Sequence, residues 1–206
     1  MRYTGPRNRI ARREGLDLGL KTPGSKSQET LLKKLNVLPG QHGTRGRRKV
    51  SEHGRQLREK QKMRFMYGVT ETQLKNYFGR SIKKTGNTAL YMTQFLEKRL
   101  DTIVNRLGFV PTRAAARQLI VHKYIKVNNK IVNTPSYQVR IGDVVTLAND
   151  KILKLPVVDA SLNKTDIIMP TWLERQGPVG KMITEPNAES LEKQINLRLV
   201  IEFYSR

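Results

Sequence analysis

The sequence contains no cysteine, and histidine is scarce, with three residues in 206. Without cysteine the chain can form neither a disulfide bond nor a thiolate metal site. A zinc site needs about four Cys, His or carboxylate ligands, so His42, His53 and His122 do not predict one. We therefore expect no metal and no cofactor, and the redox compartment is left open.

Long apolar runs are absent as well. No stretch approaches the roughly 18 consecutive apolar residues that mark a membrane-spanning helix. The first fifteen residues are basic but lack the apolar core of a secretory signal. The acidic Glu14 and Asp17 also make this N-terminal region a poor transit peptide. The sequence thus predicts no membrane partner.

The usual signatures of catalysis are also missing. The chain has no Gly-x-x-x-x-Gly-Lys-Ser/Thr phosphate loop, no Gly-x-Ser-x-Gly elbow and no obvious pair of carboxylates. The tripeptide Arg99-Leu100-Asp101 matches one that carries a catalytic Asp in pseudouridine synthases. Here it falls in a predicted helix, and the chain has no room for that large catalytic domain. We expect no small-molecule substrate and no enzymatic activity.

Positive charge is what the sequence has in excess, and the excess is confined to one part of the chain. Lys and Arg number 39 against 17 Asp and Glu, which gives a formal net charge of +22. Residues 146–206 are neutral, so all of the excess lies before them. A basic surface built by residues 1–145 would attract polyanions. Because aromatic residues make up only 6%, the pattern favours folded RNA read by shape over stacked single strands, and charge alone leaves DNA open.

Periodicity predicts helices in the first half of the chain. Residues 1–50 are rich in Gly, Pro, Arg and Lys and predict a mostly irregular segment that is ordered against a partner, with a short helix over Ser27–Leu35 that ends near Pro39. A helix is expected over 51–66, and Thr70 with Gln73 has the spacing of a capping box. Residues 88–107 carry a buried stripe and predict one helix or a pair.

A small mixed module follows. Thr112 is expected to cap a helix that places Arg113 and Arg117 one turn apart on its outer side. The period then changes to two, and Asn128-Asn129 suits a tight hairpin turn because Asn tolerates positive φ. This order predicts two helices followed by short antiparallel strands.

The last third of the chain is less regular. Residues 148–190 contain four prolines and predict loops and short strands. The final residues begin as a helix near Leu191 and end with Leu199, Ile201 and Phe203 in alternation. This apolar ending should dock on an earlier helical region.

Several stretches together resemble one known family. Residues 99–145, RLDTIVNRLGFVPTRAAARQLIVHKYIKVNNKIVNTPSYQVRIGDVV, closely resemble the RNA-binding module named after protein four of the small ribosomal subunit. The start RYTGPRNRIARREG, the motifs LPGQHG, LREKQK and MYGVTETQ, and the ending LVIEFYSR resemble the ribosomal protein family itself. Because the module also occurs in RNA-modifying enzymes and a tRNA synthetase, the flanking motifs and the length are what specify the ribosomal family.

The resemblance implies an α+β fold in which a mainly helical domain receives an inserted α+β RNA-binding module of two helices and short antiparallel strands. An extended basic N-terminal arm precedes it. The expected bounds are 1–43 for the arm, 44–97 plus 186–206 for the helical domain, and 98–185 for the inserted domain, whose core module is 99–145.

The resemblance also implies a function. Family members are structural constituents of the small subunit that bind a multi-helix junction in the 5′ domain of 16S rRNA, nucleate assembly, and affect translational accuracy at the mRNA entry channel. Some repress their own messenger. The implied partners are 16S rRNA, mRNA, and ribosomal proteins three and five of the small subunit. The implied location is the small subunit in the bacterial cytoplasm, with an organellar ribosome left open.

Two groups of residues are expected to carry this function. The expected rRNA contacts are Arg2, Arg7, Arg9, Arg12, Arg13, His42, Arg55, Arg58, Lys60, Lys62, Arg106, Arg113, Arg117, Gln118, His122, Lys123 and Lys130. The basic residues aligned with the entry-channel arginines of the family are Arg45, Arg47, Arg48 and Lys49. His42 is expected to be structural or to contact RNA, since nothing nearby would orient it as a catalytic base.

The sequence departs from the family pattern in two places. Some members carry an N-terminal cysteine cluster that binds zinc, which this chain lacks, so residues 21–37 should be held by packing and RNA. The hairpin usually reads Asn-Gly, and Asn128-Asn129 still permits the turn at some strain. Two other hypotheses remain: an RNA-modifying enzyme, which would need a catalytic domain, and a general nucleic-acid packer, which would show no junction preference.

Overall fold

The computed structural model describes residues 3–45, 49–164, 169–187 and 195–205. The chain divides into two units, Met1–Met92 with Glu189–Arg206, called unit 1, and Thr93–Ala188, called unit 2. The predicted α+β class is confirmed, since helices combine with one antiparallel sheet. The narrower domain limits expected above stay a prediction.

Unit 1 is helical in its described part. Its helices are α1 (Arg7–Glu14), α2 (Lys26–Lys33), α3 (Glu52–Tyr67), α4 (Glu71–Ile82), the start of α5 (Thr88–Glu97) and α10 (Leu197–Ser205), with a 3-10 turn at Gly43–Arg45. Thr70 and Gln73 form the expected capping box at the start of α4. The helix predicted over 51–66 is confirmed as α3, which Ser51 caps.

The N-terminal segment is more ordered than its composition predicts. Helices α1 and α2 pack together within residues 7–33, and Ile10, Ala11, Leu18 and Leu31 are buried. The expectation of a mostly irregular segment is therefore wrong for α1, whereas α2 confirms the short helix expected over Ser27–Leu35. These four buried residues hold the segment together although its composition is mostly polar, because burial depends on which apolar residues face each other and not on how many there are.

The C-terminal residues form helix α10, so the alternation of Leu199, Ile201 and Phe203 does not mark a strand. Val200 is fully buried, and the helix packs mainly on α3. The expected docking on an earlier helical region is confirmed. The helix start predicted near Leu191 lies outside the described residues.

Unit 2 contains the small sheet. Its elements after α5 are α6 (Leu100–Arg106), α7 (Arg113–Val121), β1 (Ile125–Val127), β2 (Lys130–Ile131), β3 (Val144–Leu147), α8 (Asp150–Leu153), α9 (Pro156–Leu162), β4 (Leu173–Gln176) and β5 (Val179–Met182). The strand order is β2-β1-β3-β5-β4, and every neighbouring pair is antiparallel. Helices α8 and α9 were not expected, because the four prolines spread over residues 148–190 suggested loops and short strands.

Local signals in the module are confirmed. Thr112 accepts a hydrogen bond from the Ala115 backbone N–H and caps α7. Asn128 and Asn129 adopt φ of 48° and 64° in the β1–β2 turn. One core joins α6, α7 and the sheet, built from residues such as Leu100, Phe109 and Val145.

Candidate nucleic-acid interface

The arginines of α1 divide between the interior and the surface. Arg7 donates from Nη1 to the Leu20 carbonyl at 3.1 Å, while Arg9 and Arg13 are exposed. Arg12 donates to the carbonyl oxygens of residues 37 and 38 at 2.9 and 3.0 Å. Arg12 therefore fastens the loop that begins the LPGQHG motif, and Arg2 lies outside the described residues.

The LPGQHG loop is a tight backbone turn. A Cβ on Gly43 would lie 1.8 Å from the Leu38 carbonyl oxygen, so glycine is required there. His42 is exposed, and its carbonyl accepts from the Arg45 N–H at 3.1 Å at the start of the 3-10 turn. This arrangement favours a structural role for the motif, with the imidazole available to a partner. Among the cations expected at the mRNA entry channel, Arg45 and Lys49 are exposed, and Arg47 and Arg48 lie outside the described residues.

Helix α3 directs its predicted contacts in different directions. Arg55 is exposed, whereas Lys62 pairs with Glu59 at 2.7 Å on the same helix. Arg58 reaches Glu14 of α1 at 3.2 Å. Burial raises the pKa of Glu14 despite the opposing charge of Arg58.

Lys60 is an interior residue. It is 5% exposed, and its ammonium pairs with Glu71 at 2.9 Å and lies 4.4 Å from the Phe203 ring centre. The Tyr204 hydroxyl donates to the same Glu71 oxygen at 2.8 Å. Burial acts to raise the pKa of Glu71, but the hydrogen bonds from Lys60 and Tyr204 outweigh it and leave the pKa lowered. Lys60 is therefore paired in the interior and does not form part of the exposed basic surface.

Two buried carboxylates in unit 2 hold arginines beside them. Glu97 is fully buried and accepts from Arg106 at 2.8 Å and 3.2 Å, a bidentate pair. Asp101 accepts from the buried Arg99 at 2.6 Å and 2.9 Å, and Arg117 lies 4.0 Å from the same carboxylate. The side chains of Arg106 and Arg117 remain 29% and 26% exposed. The Arg99-Leu100-Asp101 tripeptide is therefore built into the interior of the unit.

The other predicted contacts in unit 2 lie along α7 and just after it. Arg113 is half-buried in the first turn of α7, beside the cap. Gln118, His122, Lys123 and Lys130 are exposed. Sequence reasoning missed Tyr124, whose ring is 37% exposed and stacks on His122. The signal that could have found it is its place between two cations, Lys123 and Lys126.

The described residues contain neither a metal site nor a membrane-spanning helix. No three His, Asp or Glu side chains among these residues are grouped so that they could hold a metal ion. In the same ranges no helix has the length and apolar character needed to cross a membrane.

Comparison with protein families agrees with this arrangement. Residues 2–97 match the family described as the ribosomal protein S4/S9 N-terminal domain, and residues 98–145 match the S4 domain. The second match covers α6, α7 and strands β1 and β2. The chain is therefore of the class in which a ribosomal N-terminal domain is followed by an S4 domain.

Relatives with similarity over the whole chain specify the family. The chain is 42% identical over 207 residues to the small ribosomal subunit protein uS4 of Chromobacterium violaceum, with 100% of this chain and 99% of the relative covered. Proteins of the same name from Francisella tularensis subsp. holarctica and Neisseria meningitidis are 41% and 42% identical over 210 and 207 residues, with the same coverage. The chain belongs to the uS4 family of small ribosomal subunit proteins. This confirms the resemblance, and it agrees with the expectation that the chain is not an enzyme.

Proposed function

We propose that the chain is a structural constituent of the small ribosomal subunit and binds 16S rRNA directly, at a multi-helix junction of the 5′ domain. The observation that carries this proposal is the basic surface of unit 2. Arg106, Arg117, Lys123 and Lys130 are at least partly exposed along α6, α7 and the β1–β2 hairpin. Phosphate contacts of this kind supply a large part of the affinity in nucleic-acid complexes.

Two of these arginines are oriented before any partner arrives. Arg106 is held by two hydrogen bonds to the buried Glu97, and Arg117 is drawn towards Asp101. A guanidinium has five N–H donors, so one edge can remain on the carboxylate while another donates to a phosphate. Such pre-orientation lowers the entropy lost on binding and suits a rigid, folded RNA.

The finer roles form part of the same proposal. We propose that the protein nucleates subunit assembly, lies near ribosomal proteins three and five, and affects accuracy at the mRNA entry channel. The exposure of Arg45 and Lys49 supports the last role. Bacterial relatives support a bacterial ribosome as the location.

A salt titration of RNA binding tests the proposal. Affinity for the 5′ domain of 16S rRNA is measured beside an unrelated folded RNA of equal length. We expect a difference of about 3 kcal/mol or more at physiological salt, near the lower end of specific-over-nonspecific margins known for DNA. Equal affinities for the two RNAs at every salt concentration would show that the protein binds nucleic acid without specificity. Chemically altered nucleotides after incubation would favour an RNA-modifying enzyme.

A further inference from the structure

The end of helix α7 differs in one residue from the ends of helices α1 and α3. Helices α1 and α3 end at Gly15 and Gly68, with φ of 68° and 61°. Helix α7 ends in the same way, but the left-handed residue is Lys123, with φ of 63°. Its N–H donates to the Ile120 carbonyl at 2.9 Å, and the next N–H donates to Leu119 at 3.0 Å. Glycine takes this conformation without strain, whereas lysine does not.

Lys123 is exceptional even among the strained positions. The only other non-glycine residues with positive φ in the described ranges are Asn128 and Asn129, and asparagine tolerates that conformation. Backbone strain of this kind persists where the surroundings impose it, and it is concentrated at functional sites. Core packing does not explain the strained backbone of Lys123, because this residue is exposed.

The strained residue separates two aromatic rings that stack on each other. The ring centres of His122 and Tyr124 are 5.9 Å apart, and their planes differ by 22°. Both residues are exposed, Tyr124 by 37%. Within the described ranges neither side chain makes a hydrogen bond, so the stack is not fixed by polar contacts.

Two cations lie close to this pair in sequence. Lys123 stands between the rings in sequence, and Lys126 is two residues after Tyr124 in an extended segment. Since Ile125 and Val127 are buried, alternation puts Tyr124 and Lys126 on the outer face of the sheet. Exposed aromatic faces flanked by cations are the arrangement that binds an unpaired base together with its phosphate.

We propose that His122 and Tyr124 form a stacking site for one unpaired nucleobase of a folded RNA, and that Lys123 contacts the adjoining phosphate. This rests on the proposed function, and it adds an unpaired base to a surface otherwise suited to RNA shape. Because every base has a π face, the site accepts any base that its RNA presents unpaired. At this position, where α1 and α3 have glycine, the lysine adds a cation between the two aromatic residues in sequence.

Three variants in the full chain separate stacking from charge. Tyr124→Phe keeps the ring, Tyr124→Leu removes it, and Lys123→Gly removes the cation and the strain. Tyr137→Leu is the matched control, because Tyr137 is also 37% exposed and its ring stacks on no other aromatic side chain among the described residues. Affinity is measured by salt titration with the 5′ domain of 16S rRNA and with an unrelated folded RNA, and thermal unfolding is followed in parallel.

Stacking predicts a specific pattern. Tyr124→Leu should bind the rRNA about tenfold more weakly with an unchanged salt slope, as removal of one stacked base does, while Tyr124→Phe and Tyr137→Leu stay near wild type. Lys123→Gly should lower the salt slope by somewhat less than one unit. It should also unfold at a higher temperature, because glycine relieves the strain.

The same data can overturn the site. Wild-type affinity of Tyr124→Leu, or a loss equal to that of Tyr137→Leu, would show that the ring does not stack on a base. Binding of both RNAs alike by the wild type would instead contradict the proposed function. In that case too, the affinity of Tyr124→Leu tests the stacking site, because stacking needs an unpaired base and not a particular sequence.

Discussion

The two units use their acidic residues in opposite ways. In unit 1, Glu14 and Glu71 draw Arg58 and Lys60 into contacts that join helices α1, α3, α4 and α10. In unit 2, the apolar core joins the elements, and Glu97 holds Arg106 at the surface. Unit 1 carries 25 Lys and Arg against nine Asp and Glu, and unit 2 carries 14 against eight. The comparison indicates that the stability of unit 1, with its larger excess of positive charge, depends on charge screening more than that of unit 2.

The largest effect is expected where unit 2 itself depends on a buried charge. Asp101→Asn leaves the guanidinium of Arg99, which is fully buried, without its carboxylate. The free energy of unfolding should fall by about 3–5 kcal/mol, the usual cost of breaking a buried pair. Urea unfolding measures it, with the exposed Asp159→Asn on α9 as the control. A loss no larger than that of the control would mean that packing alone holds this region.

A second prediction sharpens the contrast through RNA binding. Glu97→Gln weakens the two hydrogen bonds that orient Arg106, so affinity for the rRNA should fall about tenfold, near the lower end of the range for a hydrogen bond to a charged group. Net charge alone predicts tighter binding instead, because the substitution removes a negative charge that repels the RNA. The control is Glu174→Gln, which changes an exposed residue of β4 and should leave binding unchanged or slightly tighter. Tighter binding by Glu97→Gln would contradict the orienting role.

A third prediction concerns the polar cluster of unit 1. Tyr204→Phe removes one hydrogen bond to Glu71 and leaves the ring stacked on Phe78. Unfolding free energy should fall by about 1 kcal/mol, the net contribution of an ordinary hydrogen bond. Ser205→Ala, in which an exposed residue of the same helix is changed, is the control. An unchanged stability would show that the cluster is not what holds α10.

The smallest effect is a pH dependence that differs between two carboxylates. Burial raises the pKa of Glu14, so its contribution to stability is present below the unfolded value of about 4.5 and is lost as the pH rises through the raised value. The pKa of Glu71 is lowered, so its contribution is present above that value and is lost as the pH falls through the lowered one. Glu14→Gln should therefore gain stability relative to wild type as the pH rises from about 4 to 7.

Chemical unfolding across that pH range measures the difference between Glu14→Gln and the wild type. The matched variant is Glu71→Gln, which should lose stability relative to wild type as the pH rises over the same interval, since only the wild type regains its favourable ionised pair. Parallel curves for wild type and Glu14→Gln would contradict the role assigned to burial.

Local sequence signals predicted the parts of the fold that depend on near neighbours. The capping box of Thr70, the cap at Thr112 and the Asn128-Asn129 turn each rest on residues within three positions. The helical character of residues 197–205 was missed, because alternating apolar residues occur by chance in a helix that buries Leu197 and Val200.

Long-range pairing explains what the sequence could not predict about the candidate surface. Lys60 looks like one more cation on a basic helix, but its partners are 11 and 143 residues away. Arg12 likewise meets carbonyl groups 25 and 26 residues further on. Which cations face a partner depends on such contacts. The exposed His122 and Lys123 were among the predicted contacts because the turn after α7 is local, whereas their neighbour Tyr124 was missed.

Amide hydrogen exchange of the free, intact chain at two salt concentrations tests the central claim most directly. Ionic strengths of about 0.01 M and 0.15 M change the screening length from about 30 Å to about 8 Å. Since unit 1 bears the larger net charge, relief of its self-repulsion should increase protection in α1, α2 and α3, while α6, α7, β1 and β3 change little. Equal changes in both units, or a loss of protection in unit 1, would contradict the account.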